Sequence, residues 1–397
     1  MKSGIYRLTV LFIIVLIYAP VTAQIYPRYA VQRDTAEAPT LSKKPLLIFQ
    51  IENENGGMIA NNAQVKEDFN DIYYNGVNLR VGWQTRAGSD PYHQRHNFPI
   101  YGIGLYSSTF HKPEIGTPVA LYGFVAIPIK PARFSRWDFN YRISLGIASD
   151  FRPFDEEENP LNIMLGTKRN VYIDLGAQAN YRLGKHFQLG AGLAFKHFSN
   201  GSIKQPNKGI NLIPTTLSVT YYPKVVGDIF RKQAVEPFEN NFALHINYAA
   251  GIKQLNPENE KRYFKSTLGA YISRSLGAKW RLGAGGDLYY SASGNDALVA
   301  GSDAGEAGAL LSGGPAFYID HILTSRLYLN GNVGYYLHRN DVNGEVGPMF
   351  LRIGVRYKLM REMYAGVSIK AHAGKADYIE WTLGYSLPRI FSGKNKG

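Results

Sequence analysis

The sequence predicts an all-β protein: an antiparallel transmembrane β-barrel of about 12 to 16 strands, or an eight-stranded half joined to a second β half. Three observations carry this. The 397-residue chain is rich in Tyr (28), Phe (20) and Gly (41), yet mildly polar on average. It begins with an export signal and has no later apolar run near the roughly 18 residues that a membrane helix needs. Its remaining length reads as short period-2 segments, joined alternately by tight turns and long polar loops.

The elements follow in chain order. Lys2 and Arg7 form a basic start, Val10 to Tyr18 an apolar stretch, and Val21-Thr22-Ala23 a small-residue cleavage site. Residues 1–23 are therefore expected to be a signal peptide cut near Ala23, and 24–44 a flexible leader. The chain has no Cys, which excludes a disulfide scaffold, a lipidated Cys and thiolate metal sites. Its formal charge of +13 suits nucleic acid in a cytosolic protein. In an exported one, anionic lipopolysaccharide is the natural partner and nucleic acid is not expected.

Candidate strands fall near 45–52, 74–84, 98–108, 118–129, 137–148, 170–182, 186–197, 212–222, 242–252, 263–273, 278–290, 309–320, 326–337, 347–358, 362–371 and 377–387. Val77, Leu79, Val81 and Trp83 share one face of the second. Arg352 and Arg356 oppose Leu351, Ile353, Val355 and Tyr357 in a late one. Four basic tight turns form a weak internal repeat, around Lys185, Lys279, Arg326 and Arg361. Longer polar loops fall at 149–169, 198–211, 291–308, 338–346 and 372–376. Counting from the first strand puts the four tight turns on one side and the 198–211 loop on the other. That side is the cell exterior in an outer-membrane barrel. Residues 223–241 do not alternate and read as a connector between a half at 45–222 and the strands of 242–397. The latter are expected to complete the barrel.

One stretch carries chemistry. Along 187–199 the odd residues Phe187, Leu189, Leu193 and Phe195 are apolar, and His197 and Ser199 continue their face. Asn211 opens the matching row of the returning strand. A Ser hydroxyl becomes a nucleophile when a neighbouring His takes its proton, and an amide oxygen can orient the imidazole. Polar groups on a lipid-facing row are costly unless they function. The bland alternative is an interfacial His beside an ordinary Ser.

The motif His197-Phe-Ser199-Asn200-Gly, with Lys204-Gln-Pro-Asn207 and Gly209-Ile-Asn211, resembles the lipid A 3-O-deacylase family (PagL-type, also described as acyloxyacyl hydrolase). The specific match covers 195–211, and a looser one runs over about 74–222. The resemblance implies an outer-membrane barrel that hydrolyses an ester-linked acyl chain of lipid A without metal or cofactor. It further implies Ser199 as nucleophile, His197 as base and Asn200 as oxyanion support. It also sets an expectation that the sequence breaks: the family's acidic residue falls on Asn211. Either Asn211 supports slower catalysis, or a carboxylate such as Asp174 substitutes, or the chain only binds.

Other features are weaker. Asp155-Glu-Glu-Glu158 reads as a solvated loop. His93, His96 and His111 lack ligand spacing, and no Gly-x-Ser-x-Gly elbow occurs. The alternatives from other classes are a porin-like channel or a lipopolysaccharide-binding barrel, and a periplasmic β-sandwich.

Overall fold

The computed structural model describes residues 44–60, 62–69, 72–129, 136–224, 241–372 and 375–388. The expected signal peptide, almost all of the leader and most of the connector lie outside these residues. Among the described residues sixteen strands occur, near the segments where alternation places them. The first eight are β1 (Leu46–Met58), β2 (Tyr73–Gln84), β3 (Ile100–Thr109), β4 (Gly116–Pro128), β5 (Trp137–Phe151), β6 (Asn170–Leu183), β7 (Phe187–Ser199) and β8 (Ile210–Tyr221). The second eight are β9 (Phe242–Gln254), β10 (Arg262–Leu276), β11 (Trp280–Ser291), β12 (Leu311–Ile322), β13 (Leu327–Tyr335), β14 (Met349–Lys358), β15 (Met363–His372) and β16 (Lys375–Pro388). Every pairing is antiparallel.

The strands from 242 onward do not complete the first barrel. β8 turns back to pair with β1, with Tyr221 opposite Phe49, and β16 pairs with β9, with Trp381 opposite Ala250. The result is two closed eight-stranded barrels, the second form of the fold expectation. Eight strands enclose a space that side chains fill, and the inward residues here are large and mutually paired. In the first barrel Glu52 meets Arg80 at 2.7 Å and Arg142 at 3.1 Å, and Asp174 meets Arg142 at 2.9 Å and Lys196 at 3.2 Å. An aromatic layer including Tyr74, Tyr106, Tyr122, Tyr172 and Phe198 packs above them. In the second, Arg352 bridges Asp287 and Glu380 at 3.3 and 2.6 Å, and Tyr271 stacks on Tyr318. Buried ion pairs cross both lumens, although a cavity beside Gln50, Arg142 and Gln178 remains in the first, and this stands against the open water-filled passage that the channel alternative requires.

Outside, each barrel shows a row of exposed apolar side chains, among them Leu79, Ile103, Leu121 and Leu217 in the first and Leu268, Ile353 and Leu383 in the second. β6 and β15 differ: Ile173, Leu175, Val367 and Ile369 are only half-exposed. At the tight-turn end the barrels meet directly. Ser325 donates to Asp90 through its N–H and hydroxyl at 2.9 and 2.7 Å, and His96 Nε2 bonds to the Ile322 carbonyl at 2.7 Å. Asp90 and His96 sit in the β2–β3 connection, which is long although it lies at the end expected to carry only short turns. At the opposite end β15 runs to His372 and β16 from Lys375, and these two residues pair with each other; residues 373–374 of the expected 372–376 loop lie outside the described residues.

Candidate active site

The site forms where β7 and β8 leave the first barrel at the long-loop end. Lys196 and Phe198 point into the lumen, so His197 and Ser199 point outward, on the row of Leu189 and Leu193. Register sets His197 opposite Asn211. Sequence spacing therefore brings the three side chains together without help from any other strand.

His197 Nε2 lies 2.9 Å from Ser199 Oγ, and His197 Nδ1 lies 2.7 Å from Asn211 Oδ1. An amide oxygen can only accept, so Nδ1 carries the hydrogen and Nε2 is left as the acceptor facing the hydroxyl. The pair is thereby set in the tautomer that a base needs. Ser199 is buried, while His197 and Asn211 are half-buried. Asp174 does not substitute for the missing carboxylate. It pairs with Lys196 in register, points into the lumen and is bound by Arg142, Lys196 and Ser144. Alternation along β6 puts it on the wrong side of the wall.

Asn200 follows Ser199 and braces the turn. Its N–H donates to Asn207 Oδ1 at 3.1 Å, and its Nδ2 donates to the Lys204 carbonyl at 2.8 Å. Gly201 and Ser202 then take left-handed φ values of 61° and 60°. Among the described residues no acceptor takes either of their N–H groups. Consecutive free N–H groups one and two residues past a Ser-Asn pair are suited to a developing negative charge. Residue type alone gave Asn207 and the Gly201-Ser202 turn no role, although Gly201 and Asn207 stand in the motif that carries the family resemblance.

The remaining sequence candidates lie elsewhere. His93 and His96 belong to the β2–β3 connection, and His111 bonds Asn75 at 2.9 Å. Asp155 accepts the N–H groups of Glu157 and Glu158 in an exposed turn. Among the described residues no three His, Asp or Glu side chains gather to hold a metal ion.

Comparison with known proteins follows this geometry. A family model described as lipid A 3-O-deacylase (PagL) matches residues 77–220, and one described as acyloxyacyl hydrolase, C-terminal domain, matches 242–389. The chain belongs to the PagL-type lipid A deacylase family. This family placement makes it an outer-membrane β-barrel and, at the general level, an ester hydrolase; the substrate of the family is lipid A. The first match begins inside β2 and ends within β8, and the second begins with β9 at Phe242. Among solved structures, the outer-membrane enzyme PagL aligns at 13% identity and a TM-score of 0.33, covering 43% of this chain and 97% of that one. An outer-membrane channel from Pseudomonas putida F1 aligns at 12% identity and a TM-score of 0.17, covering 89% and 100%. No curated protein matches the chain.

Proposed function

We propose that this PagL-type protein hydrolyses the ester-linked acyl chain at the 3-position of lipid A, with Ser199 as nucleophile and His197 as base. The observation that carries the proposal is the relay from Asn211 Oδ1 through His197 to Ser199 Oγ, with bonds of 2.7 and 2.9 Å. Ser199 Oγ attacks the ester carbonyl while its proton passes to His197 Nε2. The tetrahedral oxyanion is met by the N–H groups of Gly201 and Ser202, in a turn that Asn200 supports. Collapse breaks the bond to the sugar oxygen, which takes the proton from His197 Nε2 and departs as the free hydroxyl, leaving an acyl-serine. Water, deprotonated by the same imidazole, then attacks the acyl-serine, and collapse releases the fatty acid as Ser199 Oγ takes the proton back from His197. Asn211 holds the tautomer but adds no negative charge beside the imidazolium, so the reaction is slower than with a carboxylate.

The outward row fits this substrate, because an acyl chain lies in the membrane beside the barrel wall and long loops face the lipopolysaccharide headgroups. The test is mass spectrometry of lipid A from cells making the wild type, Ser199→Ala and Asn211→Glu. The wild type removes one hydroxyacyl chain and Ser199→Ala removes none. Unchanged lipid A in wild-type cells, with the protein folded in the outer membrane, refutes the assignment.

A further inference from the structure

The ten residues between β7 and β8 face two ways. At one end they carry the Asn200-Gly201-Ser202 turn beside Ser199. At the other they are bonded to the second barrel. The Ser202 carbonyl accepts from Gln254 N–H at 2.9 Å, and Ser202 Oγ donates to the Ala376 carbonyl at 3.1 Å. Gln205 N–H donates to Gln254 Oε1 at 3.0 Å. Gly201 packs so closely on Ile379 that a Cβ there would stand 2.3 Å from Ile379 Cγ1.

Gln254 ends β9, while Ala376 and Ile379 open β16, so these contacts lie at the seam where the second barrel closes. Gln254 is itself fixed, its Nε2 bonded to the carbonyls of Asn256 and Asn259 at 2.9 Å each. It is buried, and so is Ser202. A serine holds a left-handed φ only where its surroundings impose it. For Ser202 the side-chain and carbonyl contacts that impose it come from the second barrel.

We propose that the second barrel is a working part of the reaction site, with Gln254 and Ile379 as positioning residues. They hold segment 200–205 in the shape that keeps the Gly201 and Ser202 N–H groups beside Ser199. The inference rests on the deacylase reading for its chemistry; neither residue touches Ser199 or His197. It assigns the C-terminal half a role in turnover rather than in anchorage alone.

The experiment uses the full-length protein in outer-membrane vesicles, as wild type, Gln254→Ala, Ile379→Ala, Ile379→Val and the distant wall variant Leu383→Ala. Lipid A turnover and hydrogen exchange of the 200–205 amides are measured together. Gln254→Ala and Ile379→Ala lower kcat roughly ten- to hundredfold, because small misplacements of a reacting group cost that much. KM stays within about twofold, since the substrate is still bound. The 200–205 amides exchange faster in both variants while the strands keep their protection. Ile379→Val, which keeps the Cγ1 contact, restores most of the rate, and Leu383→Ala matches the wild type. Unchanged kcat and unchanged exchange in both alanine variants overturn the proposal. Should the wild type itself leave lipid A intact, the deacylase reading fails separately. Exchange then decides the positioning role: faster in the variants upholds it, and equal rates overturn it.

Discussion

The imidazole of His197 sits between two oxygens of unequal use. Asn211 fixes Nδ1–H, but only a carboxylate would also stabilise the charge that the ring gains when Ser199 is deprotonated. Asn211→Glu is therefore expected to raise kcat at least about tenfold, and Asn211→Leu, which frees the ring to change tautomer, to lower it at least about a hundredfold. Rates on purified lipid A check both. Gly201 supplies a second case. An alanine there meets a left-handed φ of 61° and the Cγ1 of Ile379 together. The strain alone costs on the order of 1 kcal/mol. Gly201→Ala should lower turnover, and adding Ile379→Val should recover little of it, because valine keeps the Cγ1 that the new Cβ meets and nothing relieves φ.

At the scale of elements, the strands are stabilised by what their inner faces pair. Lys196 on β7 meets Glu54 on β1 and Asp174 on β6 at 3.2 Å each, all three fully enclosed. Lys196→Met leaves buried carboxylate charge uncompensated and should destabilise the first barrel by about 3–5 kcal/mol. Urea unfolding in lipid vesicles measures it. The β2–β3 connection gives a pH-dependent case. Burial pushes His96 down from 6.5 to about 4, so the ring is neutral when it bonds to the Ile322 carbonyl. The folded state then binds fewer protons than the unfolded chain between those values. Stability is fully present above pH 6.5 and falls as pH drops toward 4. Thermal unfolding of the wild type should show that slope, and His96→Gln should reduce it.

For the whole molecule, two filled barrels rather than one wide one change what the protein can do. Glu52, Arg80, Arg142 and Asp174 block the first lumen, and Asp287, Arg352 and Glu380 block the second. Protein in planar bilayers should therefore show no steady ion conductance, and a stable open level of porin size contradicts the closed arrangement. Barrel-to-barrel contacts occur at both ends, through Asp90, His96, Ser325 and Ile322 at one and Ser202, Gln205 and Gln254 at the other.

The sequence by itself located the strands, within an expected count of about 12 to 16, together with their apolar and polar faces and the shared face of His197, Ser199 and Asn211. All of these are local: period-2 alternation sets the faces, and one hairpin register sets the three side chains. It also carried the family resemblance, because that motif is contiguous. Only the tertiary structure decided that β8 returns to β1 and β16 to β9. The in-and-out pattern of a strand reports which face meets lipid, and it is the same for one closure or two. Only the tertiary structure showed which groups bind Asp174, whose inward side alternation along β6 already sets, and that Gln254 and Ile379 reach the turn after Ser199. Those contacts join residues from different strands and loops, and no spacing along the chain encodes them.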